Sequence, residues 1–305
     1  MNNHYDLNRL GAYLLKAFPG LSVITPLRVL GNGFSSVAIE TAEGLVFRIG
    51  KNDLAAQGYV KEAQLLPALG GHLPVPIPDP QWHVLASSDF PFGVIGYPKL
   101  PGMPLSRESL AFANQTQLVA SLANFLRALH SFPIERASGL SRIGMEYYSA
   151  LRGMVLPPLR SALTDSQYQI VAYWWETFLA DEEIQNYRPV LQHGDLWYEN
   201  ILVDEPARTI TGILDFEAMA IGDAAADFAS LLYLGEPFVA QVLQFYAEAA
   251  GSLDENFVHR LNRWWELRDF GGIAFSVRYD DAAELADSIR KIREGPILNP
   301  HEFRR

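Results

Sequence analysis

The sequence predicts an α+β protein in two parts: a small antiparallel β-sheet lobe carrying one helix, over residues 1–100, and a larger, mainly helical lobe over residues 101–305. Three observations predict it. Short β-branched and apolar runs separated by glycine fill the stretch from Val23 to Leu100. Beyond Pro101-Gly102 the apolar residues recur at helical spacing instead. A chain of 305 residues is also long enough for two domains at roughly 100–200 residues each.

In order along the chain, LRVLGNGFSSVAIETAEGLVFRIG, VPIPDPQWHVLAS and PFGVIGYPKL read as strands, and Tyr59–Leu69 between them reads as the one helix of the first lobe. Tyr97–Gly102 is the hinge, where proline and glycine punctuate the change from strand to helix. The run QTQLVASLANFLRALH is a long amphipathic helix, and Ser149–Ala180 and Phe238–Ala250 are expected to be helical too. One β interruption follows. Two apolar strands, Asn200–Val203 and Ile210–Leu214, are joined by a charged turn over Asp204–Arg208, and polar residues flank both. There is no internal repeat and no low-complexity segment.

Composition narrows the chemistry. With 49% hydrophobic residues and a formal charge of −11, the chain can bury a large core and opposes a polyanionic partner, which favours small cationic molecules over nucleic acid. The absence of cysteine excludes disulfides, zinc ribbons, iron–sulfur clusters and thiol nucleophiles. No leader pattern opens the sequence, and no apolar stretch reaches about 18 residues, so a soluble cytoplasmic protein without a membrane partner is expected.

The chemistry-bearing segment is His193-Gly194-Asp195-Leu196-Trp197-Tyr198-Glu199-Asn200, followed by Ile213-Leu214-Asp215-Phe216-Glu217. It sets a carboxylate, a carboxamide and a second carboxylate beside short strands. Asp195 can accept or orient the proton of an attacking hydroxyl. Asn200 and Asp215 offer hard oxygen donors that suit Mg²⁺ on nucleotide phosphates. This pattern resembles the catalytic core of the aminoglycoside phosphotransferase family, the small-molecule branch of the protein-kinase-like enzymes. The resemblance runs from the glycine-rich loop through Asp227 and implies a bilobal kinase-like fold, with Asp195 as catalytic base and Asn200 and Asp215 as metal ligands. His193 either holds the loop by hydrogen bonds or takes part in proton transfer.

The loop Gly31-Asn32-Gly33-Phe34-Ser35-Ser36 begins like a dinucleotide fingerprint, but strand rather than helix follows it and Ser36 stands at the third glycine position. A hairpin flap over nucleotide phosphates fits better, with Gly31, Gly33 and the Ser35 or Ser36 hydroxyl facing the phosphates. Kinase-like lobes carry a lysine on the third strand, paired with a helix acid. Here the strand reads Leu45-Val46-Phe47-Arg48-Ile49, so Arg48 takes that place and is expected to pair with Glu62; Lys51, beyond the strand, is a poorer substitute. Lys99 and Leu100, in the hinge, are expected to meet the purine of ATP or GTP through their backbone.

Asp223 is placed to cap the helix after it, Asp227 to brace the catalytic loop, and His130 to pack a helix end. On the acceptor side the large lobe offers Glu199, Glu236, Trp264, Glu266 and Asp269, with Trp265 and Tyr279 nearby; acids among aromatic rings suit a polyamine sugar. The activity these residues imply is transfer of the γ-phosphoryl of ATP or GTP to a hydroxyl of a small, cationic acceptor, an aminoglycoside first. Macrolide, homoserine and choline-like acceptors are the alternatives, together with a nucleotide-binding module without turnover.

Overall fold

The computed structural model describes residues 7–21, 25–111, 115–137, 139–205, 209–250, 252–301 and 303. In chain order its elements are α1 (Leu7–Ala17), β1 (Arg28–Asn32), β2 (Ser36–Glu40), β3 (Leu45–Gly50), α2 (Asp53–Gly70), β4 (Trp82–Val84), β5 (Val94–Pro98), β6 (Met103–Pro104), α3 (Arg107–Leu110) and α4 (Gln115–Ser131). There follow α5 (Met145–Ala162), α6 (Asp165–Ala180), β7 (Val190–Gln192), β8 (Ile201–Val203), β9 (Ile210–Ile213), β10 (Ala220–Gly222), α7 (Ala224–Ala229), α8 (Glu236–Ala250), α9 (Phe257–Leu267), α10 (Phe270–Tyr279) and α11 (Ala282–Glu294). An antiparallel N-terminal sheet and a mostly helical remainder make the α+β class an observation.

Two compact units partition the chain: Met1–Leu140 with Glu199–Met219, and Ser141–Tyr198 with Ala220–Arg305. This division does not follow the chain boundary at residue 100, because residues 101–140 and 199–219 belong with the first unit.

In the first unit, β1 to β5 form one antiparallel sheet in the order β1-β2-β3-β5-β4. Alternation along β3 sends successive side chains to opposite faces. Phe47 and Ile49 join Leu10 and Leu14 of α1, Val37 and Ile39 of β2, Phe90 and Val94 in a buried cluster. Arg48, between them, is thereby turned toward α2. That helix starts at Asp53, six residues before the apolar periodicity begins at Tyr59, because Asn52 caps it by accepting a hydrogen bond from the Ala55 N–H at 3.3 Å. A smaller antiparallel sheet, β6-β8-β9, completes the unit. Of the charged turn after β8, residues 206–208 lie outside the described residues.

The second unit is helical around a two-stranded ladder of β7 and β10. The expected helix over Ser149–Ala180 is two helices, α5 and α6. Thr164 and Gln167 form a capping box between them that starts a new helix, a local signal stronger than continued periodicity. Helices α9 and α10 carry the candidates Trp264, Trp265, Glu266 and Tyr279, with Asp269 in the turn between them, and neither these helices nor α11 is among the segments that helical spacing singles out above. No helix among the described residues is long and apolar enough to cross a membrane.

Candidate functional site

The residues expected to face phosphates lie in the first unit. The glycine-rich loop is the β1–β2 hairpin: Gly33 N–H donates to Ser36 O at 3.0 Å, and Lys51 N–H donates to Ser35 O at 2.8 Å. Gly31 pairs with Ala38 at an irregularity of the β1–β2 ladder. Lys51 also uses its ammonium on the loop, donating to Asn32 Oδ1 at 3.1 Å and to the Gly33 carbonyl. Its charge is thus tied to the hairpin itself. Ser36 is buried and Ser35 half-buried.

Arg48 is 5% exposed. Its Nη1 donates to Glu62 Oε1 at 2.7 Å, and its Nη2 to Asp215 Oδ1 at 3.0 Å and Glu217 Oε2 at 2.7 Å. One planar guanidinium therefore faces three carboxylates, an arrangement that a point-like ammonium could not match. Burial would strip the charge from Arg48, but the surrounding carboxylates hold its pKa well above the ordinary range. Burial pushes Glu62 and Glu217 upward, against the pull of Arg48. Glu62 Oε2 is buried without a hydrogen-bond partner.

Strand register positions the proposed metal ligands. Ile201 of β8 faces Ile213 of β9, and Leu214 N–H donates to the Asn200 carbonyl at 2.8 Å, so Asn200 and Asp215 emerge at the same end of one two-stranded ladder. Asp215 takes a left-handed backbone, φ 63°, uncommon for a residue with a side chain and typical of sites where strain is tolerated for function. These donors fit Mg²⁺. Both are hard oxygens, and the surplus of carboxylates over cations, with its unpartnered Glu62 oxygen, is one that a divalent ion would relieve. Among the described residues no group of three or more His, Cys, Asp or Glu could hold a metal alone, so nucleotide phosphates and water would have to supply the remaining ligands.

In the hinge, the Lys99 backbone N–H is donated to Gly44 O at 2.9 Å and its ammonium pairs with Glu40 at 2.8 Å. Leu100 packs so closely on Gly212 that a Cβ there would lie 2.7 Å from Leu100 Cδ1.

The loop from His193 to Leu196 is held within the second unit. Asp227, 1% exposed, accepts from the backbone N–H of His193 at 2.8 Å and of Gly194 at 2.9 Å, one with each carboxylate oxygen. Gly194 has φ 81°, a conformation favouring glycine. His193 is fully buried, and its Nδ1 accepts from the Asp195 N–H at 3.3 Å. Leu196 is buried while Asp195 is exposed, so the loop is fastened on both sides of an outward carboxylate.

The acceptor candidates fall into two groups. Trp264 Nε1 donates to Asp223 at 2.7 Å; Glu266 accepts from Trp174 Nε1 at 2.7 Å and Arg263 at 2.8 Å; Asp269 accepts from Arg268 at 2.8 Å. All three are engaged inside the helical unit. Glu199 is exposed in the 3₁₀ turn before β8, and Glu236 opens α8, where it pairs with His301 at 2.5 Å. Glu236 also lines a cavity of about 380 Å³ with Trp265, Pro237 and Phe303. Trp197, two residues after Asp195, packs on Tyr233, and the Arg268 guanidinium lies over the rings of Tyr233 and Trp265 at 3.7 and 4.0 Å.

The model of the phosphotransferase enzyme family matches residues 26–263. The chain belongs to that family. A solved GDP and kanamycin complex of APH(2")-IIIa has 26% identity to this chain, covers 96% of it and 99% of that one, and superposes with a TM-score of 0.85. Macrolide 2'-phosphotransferase MphH from Brachybacterium faecium has 25% identity over 96% of this chain and 99% of its own, with a TM-score of 0.68. An aminoglycoside 3'-phosphotransferase of Streptomyces fradiae is 29% identical over 117 residues, 37% of this chain and 42% of that relative. Less than half of the Streptomyces relative is thus spanned.

In this family member, sequence reasoning passed over Glu217. The residue was in plain view in Ile213-Leu214-Asp215-Phe216-Glu217, yet its place on Arg48 depends on Gly58 of α2, where a Cβ would lie 2.4 Å from Glu217 Cγ. That close approach has no linear signature.

Proposed function

We propose that this phosphotransferase moves the γ-phosphoryl of ATP or GTP, with Mg²⁺, to a hydroxyl of a small molecule, an aminoglycoside being the favoured acceptor. Nucleotide binding is assigned to residues 1–100, and catalysis and acceptor binding to residues 101–305. The observation that carries the reading is the outward Asp195 on a loop fastened by buried Asp227. Such a carboxylate is positioned rather than mobile, which is what proton transfer to an acid–base group requires.

The roles follow from the residues. Asp195 takes the proton of the acceptor hydroxyl as its oxygen bonds to the γ-phosphorus and the bond from that phosphorus to the β-phosphate oxygen breaks. Asn200 and Asp215 would hold Mg²⁺, whose charge neutralises the phosphate oxygens. Arg48 and the Ser35 or Ser36 hydroxyl, with the Gly31–Gly33 backbone, donate to those oxygens, and Glu62 keeps Arg48 in place. His193 sets the loop. Lys99 and Leu100 border the base. Glu199 and Glu236 are the acidic groups offered to the acceptor, and Trp264, Glu266 and Asp269 complete the acceptor-side set. The kanamycin complex among the solved relatives and the net charge of −11 support a cationic acceptor. A second reading, a macrolide-like acceptor, is favoured by Arg268, which covers two aromatic faces that a polyamine would otherwise stack upon.

Labelled ATP and GTP, offered with Mg²⁺ and a panel of aminoglycosides, macrolides, homoserine and choline, test the proposal. Transfer to an aminoglycoside is expected; transfer to none removes that acceptor. Asp195→Ala is expected to lower turnover by about 10²–10⁴-fold while ADP and GDP still bind. Unchanged turnover would refute its role.

A further inference from the structure

Within the phosphate-side cluster, Glu217 occupies the hydrogen-bond donors that a nucleotide needs. A single oxygen, Oε2, accepts from Ser35 Oγ at 3.0 Å and from Arg48 Nη2 at 2.7 Å. One donor belongs to the glycine-rich loop and the other to β3, and both are the groups assigned above to phosphate oxygens; the inference rests on that assignment. The seat of Glu217 is built rather than incidental. Gly58 leaves the space for its side chain, and Lys61 Nζ fixes its backbone by donating to Glu217 O at 3.1 Å and Met219 O at 3.4 Å.

Charge points the same way. Glu62, Asp215 and Glu217 all pair with Arg48, so three carboxylates share one guanidinium in a largely buried place. A phosphate chain arriving without a cation meets like charge on several sides and must also displace a carboxylate from both donors. Like charges in a poorly solvated site repel far more than they would in water.

We propose that Glu217 is a specificity-determining residue that makes nucleotide binding depend on the divalent cation, by standing in for a phosphate oxygen on Ser35 and Arg48 and by repelling bare phosphates. With a divalent ion on Asn200 and Asp215, the surplus charge is offset and the phosphates take the two donors. Without it, Glu217 keeps them.

Calorimetric titration of the full chain with ADP and with GDP, once with Mg²⁺ and once with EDTA, tests this. Wild type is expected to bind the magnesium-loaded nucleotide far more tightly than the bare one. Glu217→Gln keeps the shape and an oxygen for Ser35 but loses the charge; it is expected to gain about tenfold in affinity for the bare nucleotide, which shrinks the magnesium dependence. Equal or weaker binding of the bare nucleotide by Glu217→Gln overturns the inference, even where wild type binds the magnesium complex normally. A wild type that binds neither nucleotide under either condition fails the nucleotide reading itself and takes this inference with it. Should Glu217→Gln not fold, Glu217→Asp draws the carboxylate back from both donors, and a gain of roughly threefold is expected; no gain overturns the inference.

Discussion

Asp227 uses both carboxylate oxygens on the backbone of residues 193 and 194, so a single buried side chain holds the backbone that leads into Asp195. In Asp227→Asn the amide nitrogen must face one of two backbone N–H groups. That leaves a buried donor unpaired, at a cost of about 1–3 kcal/mol. Lower thermal stability and reduced turnover are expected, with ADP affinity retained; calorimetry and a transfer assay read the two effects separately. Arg48 makes a second residue-scale case. Arg48→Lys cannot reach Glu62 and Glu217 together, and losing one charge-assisted bond costs roughly 1.5–3 kcal/mol. A weaker grip on Mg²⁺-ADP is expected in a binding titration. The strand position of Arg48 and its pairing with Glu62 were legible through the resemblance, because the kinase-like pattern sets a third-strand cation against an acid of the following helix. The Trp174 partner of Glu266 was not, because the two residues lie 92 positions apart and meet only once their helices are packed.

Elements were most legible where periodicity and punctuation agreed. The β1–β2 hairpin and α4 fall where alternation and helical spacing put them. The start of α2 and the break between α5 and α6 were hidden for one reason: both depend on caps, Asn52 and the Thr164–Gln167 box, that act over three residues inside longer apolar patterns. Thr164→Ala is expected to destabilise the chain by about 0.5–2 kcal/mol. Urea unfolding measures it, and an unchanged midpoint would show that packing alone starts α6. In the first unit, Phe47 is fully buried against Phe18 and Trp82, so Phe47→Ala should cost about 3–5 kcal/mol by leaving a cavity in the face of β3 that opposes Arg48. Strand and site are supported by the same alternation.

At the scale of the whole molecule, carboxylates outnumber cations by eleven, and those that a cation holds in the folded chain are the ones whose protonation costs stability. The helical unit concentrates this in Arg260, 1% exposed, which pairs with buried Asp223 at 2.8 Å and half-exposed Asp254 at 2.8 Å. Asp223 also caps α7 through the Ala225 N–H and accepts from Trp264, so the network joins β10, α7 and α9. Asp254 lies below its usual 3.8 chiefly because Arg260 hydrogen-bonds its carboxylate, against a smaller upward push from burial. A depressed folded-state pKa gives stability that is fully present above 3.8 and disappears as pH falls, first as the unfolded chain takes up the proton and then as the folded chain does. Asp254→Asn should therefore be less stable than wild type at about pH 7, with the gap narrowing once the pH drops below 3.8. Urea titrations at about pH 7 and about pH 3 decide it: a gap of the same size at both would mean that Asp254 acts through shape and hydrogen bonding, not through its charge on Arg260.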